Sequence, residues 1–232
     1  MTLPPTQILL QPRTVIRILG AIALLLLAAN VGGLLVTHVA GHDTLGGLIP
    51  FFDFDAEQNL PTFFSACLFL VGALLLFIVW RVRPQVMWLV LAGVLVFLAF
   101  DELFQVHERL IRPVRELFHL SGVLFFAWVL VYGAGVLVLG GASVSLWRRL
   151  PRHVRWWLGA SAATYLVGAI GFEMLGARHY EAMQGVAGGR DLLYGVLYTV
   201  EESLEIAGLI MLIHGLLLLL QSEREGCAIV IR

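Results

Sequence analysis

Six apolar runs separated by short polar breaks set the pattern of this chain. They fall at about 15–38, 60–80, 86–108, 121–146, 154–176 and 192–220. Each is long enough to cross a hydrocarbon core of roughly 30 Å as an α-helix. Glycine, proline and arginine mark the breaks, at Gly41 to Gly47, Arg81 to Pro84, Arg112 to Pro113, Arg148 to Arg152 and Gly185 to Gly189. The pattern predicts an all-α polytopic membrane protein, one domain over residues 1–232, with six spans in a bundle. If both ends lie inside, ten arginines fall in inner segments and five (Arg109, Arg112, Arg115, Arg178, Arg190) in outer ones. That asymmetry favours N-in, C-in. Trp80, Trp88, Trp147, Trp156 and Trp157 fall at the same inner boundary, as an aromatic belt would.

Composition agrees. The chain is 59% hydrophobic and 13% charged, about half the charge of a soluble domain. A net charge of −1 gives no case for nucleic acid binding. All 15 cations are arginine, a codon bias that points to a GC-rich bacterium and so to its inner membrane. Cys67 and Cys227 fall in a span and in the tail, so neither a disulfide nor thiol chemistry is expected. The first run resembles a secretory signal, but it exceeds a typical signal core and no clean cleavage site follows; it is read as a retained span. Paired small residues at Gly32-Gly33, Gly72-Ala73, Gly133, Gly135, Gly140-Gly141 and Gly159 to Ala163 suit close helix crossing or a dimer face, or are simply common membrane residues. No internal repeat is visible, which weighs against transporter folds of two related halves.

Acids inside the spans carry the chemistry. The last span holds Glu201, Glu202 and Glu205, with Glu201 and Glu205 on one helical face beneath Tyr194 and Tyr198. The third ends D-E-L-F-Q-V-H-E, which puts Asp101, Gln105 and Glu108 on one face, Glu102 beside it and His107 away from it. The fifth contributes Glu173. Alternating topology brings all seven carboxylates to the same outer slab. A carboxylate at a helix centre costs on the order of 2.5–3.5 kcal/mol in a bilayer, so a cluster needs a cation, protons or a water-filled cavity. Asp101, Glu102, His107, Glu108, Glu173, Glu201, Glu202 and Glu205 are therefore the candidate ligands of a divalent metal, with Fe, Mn or Zn as its identity. A bundle di-iron centre needs two Glu-x-x-His pairs; Glu116 to His119 is the single one in the chain.

Other polar groups have blander readings beside functional ones. Asp53, Asp55 and Glu57 look like the start of a calcium loop but lack its glycine and distal glutamate, so they read as a solvated loop before a helix capped by Asn59, or else as acids lining an entry to something deeper. Arg109, Arg112 and Arg115 suggest an amphipathic interfacial segment that binds anionic groups or pairs with Glu108 and Glu116. His38, His42, His119 and His179 lie near the outer rim, and His214 lies deep in the last span, facing away from Glu205. Their unequal depths exclude a haem held by two facing histidines.

The blocks F-D-x-D-A-E-x-N-x-P-T at Phe52 to Thr62, D-E-x4-H-E at Asp101 to Glu108 and E-E-x-L-E at Glu201 to Glu205 resemble those of an uncharacterised group of bacterial six-span membrane proteins. The resemblance implies that the three blocks belong together and brings no activity with it. Glu201-Glu202 is similar to the paired glutamates of CAAX-type intramembrane proteases, but the histidine motifs of those enzymes are missing, as is the late-span His-x3-His of ceramidase-like zinc hydrolases. The expectation is a carboxylate pocket that holds a divalent metal and acts on a lipid-soluble substrate. The alternatives are a proton- or cation-coupled transporter, and an accessory subunit of a larger membrane complex whose polar network is structural. Membrane lipid is the expected partner, with a homo-oligomer or larger complex as a further one.

Overall fold

The computed structural model describes residues 6–9, 11–41, 45–187, 190–223 and 228–231. Cys227, His42 and the arginines at 224 and 232 lie outside them. Among the described residues, six helices are long and apolar enough to cross a membrane, at Pro12–Val39, Leu60–Val82, Val86–Phe104, Trp128–Arg148, Arg152–Gln184 and Leu192–Ser222.

In chain order, a short strand β1 (Thr6–Leu9) precedes α1 (Pro12–Leu35), which runs on through a π-helical turn to Ala40. Gly41 stops it in the left-handed region at φ 68°. A short α2 (Leu48–Phe52) leads to α3 (Leu60–Val82). Asn59 caps α3, its Oδ1 accepting from the Thr62 N–H at 3.2 Å, and Pro61 sits in the first turn, where no donor is lost. Next come α4 (Val86–Phe104), α5 (Val106–Phe118), α6 (Trp128–Arg148), α7 (Arg152–Leu166) and α8 (Glu173–Ala187). A π-helical stretch over Val167–Phe172 joins α7 and α8 into the fifth span. The last helix is α9 (Leu192–Glu223), and β2 (Ala228–Ile231) pairs antiparallel with β1, which puts both ends at one face of the bundle. The spanning body is all-α.

The core lies between α3, α4 and α9. Ile206, Leu209, Ile213, Leu216 and Leu220 recur at helical spacing on α9 and are buried against Leu68, Phe69, Leu76 and Val79 of α3. Close crossings rely on glycine at several places, among them Gly208 and Gly72. A Cβ on Gly208 would stand 2.8–3.0 Å from Tyr165 of α7, and one on Gly72 would stand 2.9 Å from Leu95 of α4. By contrast, Gly133, Gly135, Gly140 and Gly141 of α6 have open space around them.

Two expectations need correction. The third span does not run unbroken to Glu108: Gln105 turns left-handed at φ 55°, α4 ends, and α5 starts on a new axis. Trp88 is not part of an interfacial belt, since it is 2% exposed and packed in the core.

Candidate functional site

Each helix brings its acids to one place by its own periodicity. On α9, Tyr194, Tyr198, Glu201, Glu202 and Glu205 fall on a single broad stripe, and on α4 Leu98, Asp101 and Glu102 do the same. Trp128, Tyr132 and Val136 recur every fourth residue on α6 and face them. The space between is a cavity of about 210 Å³, large enough for several waters. All eight residues singled out by sequence line it: Asp101, Glu102, His107, Glu108, Glu173, Glu201, Glu202 and Glu205. Asp55 and Glu57 join them from the first loop, which makes nine carboxylates around one chamber. Its deeper wall is apolar, formed by Leu98, Val136, Leu166, Ala169 and Ile170. The π-helical stretch brings the fifth span against α9: a Cβ on Gly168 would stand 2.7 Å from the Glu201 carbonyl oxygen.

The broken third span rearranges the face expected for it. With α4 stopped at Gln105, the chain doubles back so that the His107 N–H donates to Asp101 Oδ1 at 2.7 Å. Its ring Nδ1 lies 3.3 Å from Asp101 Oδ2, and Nε2 lies 3.7 Å from Glu57 Oε1. So His107, expected to face away, sits between two carboxylates. Burial pulls its imidazole down, but the hydrogen bond and charge of Asp101, with Glu57 and Glu173 adding, outweigh this and hold it up at about 9. It is a protonated counter-ion in this arrangement, and among the described residues it is the one basic side chain lining the chamber. Burial, opposed by His107, pushes the Glu57 carboxyl up to about 7.

Hydrogen bonds hold some of the remaining acids. Trp128 Nε1 donates to Glu173 Oε1 at 2.5 Å. Glu173 and Glu201 lie close enough to interact directly. Tyr165 lies beside Glu205 and Tyr132 beside Asp101, with the Tyr132 hydroxyl buried and without a hydrogen-bond partner. At the rim, Tyr194 Oη donates to Asp55 Oδ1 at 2.9 Å, and Arg190 Nη2 is 3.2 Å from Asp55 Oδ2. Burial raises the Asp55 carboxyl and Arg190 opposes it. Asp55, Tyr194 and Tyr198 form the partition to a smaller cavity of about 150 Å³ beneath Arg190.

Not every polar group joins. Arg112 pairs with Glu116 at 3.5 Å in open solvent, and His179 pairs with Asp191 at 2.8 Å. Asp191 also accepts from the Tyr194 N–H at 2.9 Å, which starts α9. His214 packs its ring against Trp157 at 4.5 Å, away from the chamber. Among the described residues, no three His, Cys, Asp or Glu side chains converge to ligate a metal ion in this arrangement.

Sequence reasoning held a chamber role for Asp55 and Glu57 only as the lesser alternative, and it missed Asn30. Buried at 2% exposure, Asn30 accepts from the Phe54 N–H at 2.9 Å and donates to Thr199 Oγ1 at 2.8 Å. The available signal was an asparagine alone in an apolar span, paired with a loop whose acids alternate with phenylalanine.

No curated protein and no solved structure matches the chain. A family model described as a domain of unknown function, DUF8692, matches residues 18–220 and so takes in all six spans and the whole chamber. The chain belongs to that family.

Proposed function

We propose that this protein binds a divalent cation in its intramembrane carboxylate chamber and presents it to a lipid-soluble substrate. The observation that carries the reading is a charge imbalance: nine carboxylates line one chamber, answered by the His107 imidazole and, at the rim, by Arg190 on Asp55. Buried carboxylates without counter-charge are costly, and a cation or bound protons must offset them. An oxygen-rich set with room for water suits a hydrated ion held by one or two carboxylates, which is how manganese and magnesium commonly bind. Iron and zinc belong to the same pool. Glu102, Glu201, Glu202 and Glu205 would hold it, because Asp101 and Glu57 are already engaged by His107. The apolar deeper wall favours a substrate arriving from the bilayer. With the arginine-rich segments inside, the chamber opens outward across a bacterial inner membrane.

The close approach of the Glu173 and Glu201 carboxyls supports a second reading, proton-coupled transport. Against it, α9 below Glu205 is apolar down to His214, which lies outside the chamber. Metal analysis by plasma mass spectrometry on chelator-free, detergent-purified protein separates the two. We expect near-stoichiometric metal in the native chain and none in Glu202→Gln/Glu205→Gln. Metal-free native protein, with the variant folded equally well, overturns the metal reading and leaves proton handling.

A further inference from the structure

The arginine-rich end of the bundle carries a second chamber of different chemistry. It has a volume of about 500 Å³ and lies where α6 ends and α7 begins. Trp147, in its wall, is eleven residues past Val136 on α6, about 16 Å along the helix axis from the carboxylates. Trp147 and Trp156 flank the groove, Arg152 and Arg155 stand at its mouth, and Gly159, Ala160 and Ala163 form its floor. Arg152, Arg155, Gly159 and Ala163 recur at three- and four-residue spacing, so one stripe of α7 passes from charged to apolar. The groove stays wide because the floor is small: even a Cβ on Gly159 would come no closer than 3.9 Å to the Trp147 ring.

Charge decides the occupant. Arg148, Arg149, Arg152 and Arg155 crowd this end, and there is no Asp or Glu between Glu116 and Glu173. Among the described residues none of the four has a carboxylate partner. The Arg155 guanidinium lies over the Trp147 ring at 5.5 Å, which orients it at the groove mouth without neutralising it. A ligand that fits has an anionic head for the arginines and an apolar chain for the floor.

We propose that the groove between α6 and α7 is a binding site for an anionic phospholipid, with its phosphate on Arg152 and Arg155 and an acyl chain along Gly159, Ala160 and Ala163. Basic pockets between spans favour anionic head groups, whereas a zwitterionic lipid brings an ammonium that the same arginines repel. The site is independent of the carboxylate chamber.

Quenching of tryptophan fluorescence by dibrominated lipids tests this on the full chain in detergent. Phosphatidylglycerol is expected to half-quench at about tenfold lower concentration than phosphatidylcholine. Arg152→Gln/Arg155→Gln should erase that preference, and Arg109→Gln/Arg112→Gln, with the same charge change elsewhere, should retain it. Ala160→Leu/Ala163→Leu fills the floor with the arginines intact and should weaken quenching by phosphatidylglycerol. Inorganic phosphate, a probe for the head alone, should fail to displace the lipid. Equal quenching by both lipids, a preference that survives loss of the two arginines, or displacement by phosphate at matched concentration would each overturn the proposal.

Discussion

Helices α6 and α9 are both long and apolar enough to cross a membrane, yet they are built in opposite ways. More than half of the membrane-crossing stretch of α9 is buried, and it carries Glu201, Glu202 and Glu205. About a tenth of the same stretch of α6 is buried, and it has no charged residue before Arg148. Its buried residues, Trp128, Val129 and Leu146, sit at its ends, and its middle is largely exposed apart from the residues that line the chamber. The difference teaches how a bilayer sorts polarity. Lipid tails cannot solvate a carboxylate, so the polar load goes to the helix with the most protein around it. The lipid-facing helix keeps its apolar surface and supplies one wall of the chamber through Trp128, Tyr132 and Val136.

The largest effect that would break this contrast comes from adding bulk to each helix. Gly208→Leu on α9 must push Tyr165 and its backbone away and should cost about 3 kcal/mol or more, read as a lower thermal midpoint and loss of monodisperse protein in detergent. Gly140→Leu on α6 meets nothing and should stay within about 0.5 kcal/mol of the parent. Equal losses at both positions would mean that α6 is packed after all.

Next is the link between α1, the first loop and α9. Asn30→Ala leaves the Phe54 N–H without its acceptor in a buried setting, at a cost of about 1–3 kcal/mol. Hydrogen exchange should then rise at Phe54 and Asp55 before it rises in α3. Unchanged exchange there would show that the loop is held some other way.

The smallest effect is pH dependence at the chamber mouth. His107 is held at about 9, above its ordinary 6.5, so the folded chain keeps a proton that the unfolded chain releases. The stability of the His107–Asp101 pair is thus full below about pH 6.5 and is lost as pH rises through about 9. Glu57, raised from 4.5 to about 7 by burial, acts with the same sign lower down: the folded state loses stability as pH rises from 4.5 to about 7. Thermal midpoints from pH 4 to 10 should fall across both windows. Asp101→Asn should flatten the upper window and Glu57→Gln the lower. A variant that keeps its parent slope would reject the corresponding assignment.

How far the site was legible follows from which interactions are local. Convergence of Asp101, Glu173 and Glu205 follows from span order and depth, which hydropathy reports directly. The break at Gln105 carries no such mark, since neither glycine nor proline stands there. A non-glycine residue in the left-handed region costs roughly 1–2 kcal/mol, offset by the Asp101 carboxylate accepting the His107 N–H. Asp55 and Glu57 were read as solvated because a loop acid and a chamber acid look identical until the loop is anchored. Asn30 supplies that anchor from a different helix.

The sequence by itself determined the six spans, the cap at Asn59 and the depth of each acid, because bilayer crossing and helix periodicity depend on runs of neighbouring residues. The tertiary structure decided which acids share a chamber with a counter-ion. It also decided that the middle of α6 is left largely unburied, with the chamber on one side of it and the arginine-lined groove at its end. Both outcomes rest on contacts between residues far apart in the chain, such as Asn30 with Thr199 and Trp128 with Glu173. No local pattern encodes the partner of a buried polar group; the need to satisfy it in a medium without water selects that partner once the helices meet.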